Sequence, residues 1–188
     1  MKFVSIDTET TGLDPVKNDI LEVGLIVEDT LKKLPYDECP KLRFWIDKEY
    51  YRGNPYALVM NAHILQKICD LRRENSKRLV QPDDAFNRIA NFLRPHFANG
   101  STFDRPIVVA GKNFQGFDRP FLCRLKGFEN IPFSHRVIDA GSIFIDWAKD
   151  EVPPGLAECK SRTGIEGPIK HDSLADAWDV IQVLRSQY

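Results

Sequence analysis

The stretch Phe3-Val4-Ser5-Ile6-Asp7-Thr8-Glu9-Thr10-Thr11-Gly12 decides how this chain is read. An apolar, β-branched run opens it, the pattern of a buried strand. Gly12 and then Asp14-Pro15 close it, the pattern of a turn. Asp7 and Glu9 stand two residues apart, so on a strand both carboxylates share a face. Two such groups at the end of a buried strand repel each other unless a proton or a cation lies between them. A hard divalent cation bound by carboxylate oxygens answers that repulsion.

Working outward, the pattern predicts strands over Lys2–Thr8, Ile20–Glu28 and Leu42–Ile46. The first connection has no helical periodicity, so the three form an antiparallel meander rather than a crossover unit. Apolar residues at Leu58, Ala62, Leu65, Ile68 and Cys69 predict a helix within Tyr56–Arg73. Another helix starts at Pro82-Asp83-Asp84 and is expected to end at Pro95. Pro106–Gly111 is apolar almost throughout and reads as a central strand. A helix over Asp118–Lys126 follows, with Pro120 tolerated in its first turn. Val137-Ile138 reads as a short strand and Ile143–Ala148 as helical. Pro153–Pro168 is punctuated by Pro and Gly around a short helix. The final helix is Ser173–Gln187, with Asp172 as its N-cap. The expectation is one α/β domain over residues 1–188, with a mixed five-stranded sheet flanked by helices.

Bulk composition narrows the class. The chain has 188 residues, 43% hydrophobic and 28% charged, with a formal net charge of −1. No global basic field announces nucleic acid, so a polyanion site must be a local patch or a metal. Cys39, Cys69, Cys123 and Cys159 form no CxxC pair, which points to reduced thiols rather than zinc or a disulfide framework. The N-terminal apolar run is too short for a signal peptide and nothing approaches a membrane span. The expectation is a cytoplasmic protein without a membrane partner.

Three acidic segments converge if this fold holds. Asp118 follows the central strand through Asn113-Phe114-Gln115-Gly116-Phe117, and ligands gather where strands end and helices begin. At 100° per residue, Asp176 lies just beyond the apolar arc of the last helix, at the rim of its packing interface. His171 precedes that helix, where the dipole disfavours an imidazolium and keeps a proton acceptor available. This set suits phosphodiester hydrolysis with two divalent cations, Mg²⁺ or Mn²⁺, and a histidine base.

Asp-x-Glu-Thr-Thr-Gly after the first strand, Asn-x4-Asp after the central strand and His-x4-Asp opening the last helix resemble the three motifs of the DEDDh 3′–5′ exonucleases. That family has a ribonuclease-H-like fold and includes proofreading exonucleases and oligoribonuclease. The resemblance runs from Phe3 to Asp176. It implies that Asp7, Glu9 and Asp176 ligate the metals, with Asp7 shared between them. Asp118 would serve the second metal, and His171 would be the general base. Thr10, Gly12 and Leu13 would meet the 3′-terminal nucleotide, and Asn61 and Ile64 align with a substrate-contacting stretch. The implied partner is a DNA or RNA 3′ end, with a polymerase or a second copy as a further one. Four residues separate Asn113 from Asp118, where proofreading subunits usually have three, an oligoribonuclease-like spacing.

Bland readings stand beside these. Phe114 and Phe117 would stack on terminal bases or pack against the sheet. His63, His96 and His135 lack ligand spacing, and the basic residues from Lys67 to Arg78 read as a solvated face. A non-catalytic nucleic-acid-binding module would use the same fold, but all five catalytic-type residues are present. A haloacid-dehalogenase-like phosphatase also begins with a strand and Asp-x-Asp-x-Thr. Here the second acid is Glu and no matching later acidic motif follows.

Overall fold

The computed structural model describes residues 1–100 and 102–188. Strand β1 (Lys2–Thr10) is flanked by β2 (Ile20–Asp29) in antiparallel register, which pairs in turn with β3 (Lys41–Ile46). Helices α1 (Pro55–Met60) and α2 (Ala62–Arg73) lead to β4 (Leu79–Val80). Helix α3 (Pro82–Phe97) precedes a two-stranded ribbon, β5 (Ala98–Asn99) and β6 (Thr102–Phe103). Then come β7 (Val109–Gly111), α4 (Asp118–Leu122), β8 (Ile138–Asp139), α5 (Ala140–Ile143), α6 (Leu156–Arg162) and α7 (Ser173–Arg185).

The main sheet has the order β4-β3-β2-β1-β7-β8, with β7 parallel to β1 and β8 parallel to β7. It is six-stranded, not five-stranded. Leu79 and Val80 run parallel to Trp45 and Ile46, and two residues are too few to leave a periodic signature. Alternation along the strands feeds two cores. Val4, Ile6, Val23, Leu25 and Phe44 face α3 and α4. Phe3, Ile26 and Ala110 face α7 through Ala177, Val180 and Ile181.

Several boundaries differ from the sequence expectation, each for a local reason. The expected single helix over Tyr56–Arg73 breaks at Asn61, which ends α1 and starts α2 while its side-chain amide donates to the Thr10 carbonyl. Helix α3 runs through Pro95 to Phe97, losing only one backbone bond near its end. Strand β7 begins at Val109; Pro106 has no N–H, and Ile107 makes an isolated bridge to Phe133. Helix α4 stops at Leu122, where Arg124 and Leu125 turn to shorter-range bonds. The expected helix over Ile143–Ala148 is absent. Asp146 accepts from the Ala148 N–H instead and holds a turn. The α7 cap is as expected, with the Asp172 carboxylate accepting from Ala175 N–H at 2.9 Å. No helix among the described residues is long and apolar enough to cross a membrane.

Candidate active site

The pleat of β1 sets the first two acids. Asp7 lies opposite Gly24 and Glu9 opposite Glu22, so Asp7, Glu9 and Glu22 share the face that α7 covers. Thr8 points the other way. Its N–H and Oγ1 both donate to Asp118 Oδ1, at 2.9 and 2.7 Å. Strand β7, expected to be central but next to the edge strand β8, pairs with β1 only at Val4 and Ser5, which leaves the Thr8 N–H open for that carboxylate.

The third acid and the histidine are set by how α7 docks. Ser5 Oγ donates to the Ala177 carbonyl at 2.8 Å. Glu22 accepts from Ser173 N–H at 3.0 Å and Ser173 Oγ at 2.6 Å. Asp172 caps the helix and forms an ion pair with Arg43 of β3. Gly24 makes the close approach feasible: a Cβ there would stand 2.5 Å from the Ser173 carbonyl carbon. These contacts fix the residues on either side of the cap. Asp176 points back into the site and accepts from Lys170 N–H at 3.3 Å. His171 is exposed, in a left-handed conformation (φ 50°), with its carbonyl 3.3 Å from His63 Nε2.

Asp7, Glu9, His171 and Asp176 all line one cavity of about 360 Å³. Thr10, Gly12, Leu13, Asn61 and Phe117 line it too. Ligand atoms of Glu9, His171 and Asp176 all lie within 4.8 Å of one another, a spacing that suits one cation. The donor set, two carboxylate oxygens and an imidazole nitrogen, fits a divalent ion. Asp7 and Asp118 stand outside that trio.

None of the four carboxylates has a cationic partner within ion-pair distance among the described residues. Burial therefore dominates their protonation. Glu9 is pushed from 4.5 up to about 8, chiefly by burial and then by the nearby Asp176 and Glu22. Burial raises Asp118 from 3.8 to about 7, against the bonds from Thr8. Asp7 is held well above its ordinary value by burial first, then by Asp118 and Glu9. Asp176 is raised too, by burial, although the Lys170 N–H pulls it down.

Three placements differ from the sequence expectation. Asp176, expected at a half-wet rim, is 5% exposed and enclosed. Ile64 is not brought to the cavity; it is 2% exposed and packs with Leu21, Trp45 and Leu71. Asp118 lies behind the cavity wall rather than on it, 2% exposed and bound to Thr8. Residues the sequence reading missed include Tyr56, Ala57 and Met60, which line the cavity from α1. Tyr56 is 74% exposed and lies off the apolar stripe used to find the helix, a signal that was available. Glu22 carried a signal as well, being a charge inside an apolar strand.

The cysteines form no disulfide: Cys39 and Cys159 are buried, Cys69 and Cys123 exposed.

No protein-family model and no curated protein sequence matches this chain. Solved structures do. Exonuclease I of E. coli in complex with a dT13 oligonucleotide superposes with a TM-score of 0.64 over 98% of this chain, at 16% identity. This chain and that protein share a fold. The zinc-bound E. coli enzyme with single-stranded DNA gives 0.66 at 14% identity. A moderately thermophilic exonuclease I from Methylocaldum szegediense gives 0.66 at 17%, again over 98% of this chain. This chain covers 39–40% of the length of those three proteins.

Proposed function

We propose that this chain is a metal-dependent 3′–5′ exonuclease that releases nucleoside 5′-monophosphates from single-stranded nucleic acid. One observation carries the reading. Four carboxylates without cationic partners gather at one end of β1, and an exposed histidine stands within ligand distance of two of them. A protein gains nothing in stability from such a cluster, and acids of this kind mark functional sites. The motif resemblance and the shared fold point the same way, and the E. coli exonuclease I structures hold a dT13 oligonucleotide in one case and single-stranded DNA in another.

Glu9, Asp176 and Asp7 would hold divalent cations, with Asp118 supporting them from behind Thr8. Bound cations would offset the charge of the acids and the phosphate and make water a better nucleophile. With the cations on the carboxylates, the His171 imidazole nitrogen would be left to accept the proton of the attacking water, and its exposure would let that proton leave to solvent. Thr10, Gly12 and Leu13 would meet the terminal nucleotide, with Phe117, which lines the same cavity, available for stacking. The cavity takes about one nucleotide. A paired end would therefore fray before reaching the acids.

The test is a time course on single-stranded DNA and RNA carrying a label at the 5′ end, with Mg²⁺, Mn²⁺ or EDTA. The expected result is a ladder shortened one nucleotide at a time from the 3′ end, silent in EDTA. Activity that persists in chelator, or internal cuts as the first products, would remove the proposal.

A further inference from the structure

A second cavity, of about 140 Å³, opens on the other face of the sheet. Its floor is Ile46, Phe121 and Leu125, all from the core that packs under α3 and α4. Its polar rim is different in kind from the acidic site. Lys48, Arg52 and Arg124 line it, with Asp19 as its one carboxylate. Asp19 is answered internally: Lys48 Nζ lies 2.6 Å from Oδ1, and Arg52 N–H donates to Oδ2 at 2.6 Å. Arg52 and Arg124 make no ion pair among the described residues. Two guanidinium groups thus remain for an anion from outside. Arg is the side chain best shaped for a phosphate.

The two cavities are joined by three chain segments. The turn after β1 gives Gly12 and Leu13 to the acidic cavity and Asn18 and Asp19 to the basic one. Asn54 lines the first and Arg52 the second. Phe117 lines the first, and Phe121 and Arg124 the second, with α4 between them. Five residues of α4 span about 7.5 Å. The link is stiff as well as short. Thr11 N–H donates to the Asp19 carbonyl at 2.9 Å, and Thr11 Oγ1 donates to the Arg52 carbonyl at 2.5 Å. Arg52 is thereby fixed to the end of the strand that carries Glu9.

We propose that this basic cavity is a phosphate subsite. Arg52 and Arg124 grip a backbone phosphate of a strand whose 3′ end occupies the acidic cavity, upstream of the bond to be cut. This rests on the exonuclease reading above. It supplies what the net charge of −1 and the acidic pocket lack, a local attraction for a polyanion.

The experiment compares the unaltered chain with an Arg52→Gln, Arg124→Gln double variant. Both changes leave the backbone bonds of Arg52 in place. Binding of a fluorescein-labelled oligothymidylate is followed by anisotropy in Ca²⁺ across a salt series. The variant is expected to bind about tenfold more weakly. Its slope of log affinity against log salt should be shallower by about 0.7 per lost phosphate contact. In Mg²⁺, the KM for the oligomer should rise more than the KM for thymidine 5′-monophosphate p-nitrophenyl ester, which has no upstream phosphate. Unchanged affinity and slope would overturn the subsite, and so would equal rises in both KM values. If the unaltered chain hydrolyses neither substrate, the exonuclease reading fails, and the binding arm still decides the subsite.

Discussion

Strand β2 carries buried acids at both of its ends, and the two ends are built on opposite terms. Glu28, 1% exposed, is bound twice by Arg185, at 2.9 and 2.8 Å, and once by Tyr188 Oη at 2.9 Å. At the other end, Glu22 lies beside Glu9, with Asp7, Asp118 and Asp176 close enough to raise one another or Glu9. The first group is a closed structural ion pair. The second holds its charges apart from any cation of the protein. Equal burial with unequal pairing separates a structural acid from one kept for an external ion.

Replacing one acid at each end tests this contrast most strongly. Asp7→Asn should lower hydrolysis about a thousandfold while raising the melting temperature in chelator, because a mutual repulsion is relieved. Glu28→Gln should do the reverse, leaving a half-buried guanidinium poorly answered and costing about 1–3 kcal/mol. Parallel rate and melting measurements decide it; equal stability losses in the two variants would erase the distinction.

Next in size is Gly24→Ala. Its Cβ would press on the Ser173 backbone, so α7 must shift and carry Asp176 and His171 with it. Activity should drop by about a hundredfold with the melting temperature lowered, and Mn²⁺ affinity by titration calorimetry should weaken in step.

The third effect depends on pH. Glu9 titrates near 8 when folded and has an ordinary value of 4.5. Asp118 titrates near 7 against 3.8. Both folded values are raised, so the folded state holds its protons longer than the unfolded chain. Stability in chelator is therefore full below about 4 and falls as pH rises towards 8. Divalent cations take over from the lost protons, so Mg²⁺ or Mn²⁺ should raise the melting temperature more at pH 8 than at pH 5. A cation effect flat with pH would mean that the acids do not share the ion.

Smallest is Asp172→Ala, which removes an N-cap and the partner of Arg43. It should cost about 1 kcal/mol of stability by chemical denaturation, with a modest slowing of hydrolysis.

The parts of the fold that alternation or helical periodicity encodes were legible. Strands β1, β2 and β3 and the Asp172 cap all follow from local pattern. Asp7 and Glu9 were legible because a strand has only two faces. Asp176 lines the cavity but is drier than the rim position expected for it, because helix arithmetic gives a direction but not how closely neighbouring segments cover it. The break at Asn61 was invisible because its cause is a bond to Thr10, 51 residues away in sequence. Strand β4 was missed because a two-residue strand exists only through its partner. Ile64 was misjudged because alignment with a motif says nothing about which side of a helix the core will claim.

The register of β1 against β2 slips between Glu9 and Thr10. Up to that point every side chain is committed to a face. A residue deleted between Phe3 and Glu9 would turn Asp7 or Glu9 towards α4, and the loss of Glu9 would leave the cation trio one carboxylate short. Beyond the slip the pairing lasts only through Thr10 opposite Ile20 and the Thr11 N–H bond to Asp19, and the turn towards Asn18 answers to no pleat. Changes in length that this chain could absorb near its acids therefore lie downstream of Gly12, where reach towards a longer or shorter ligand can be tuned without touching the chemistry.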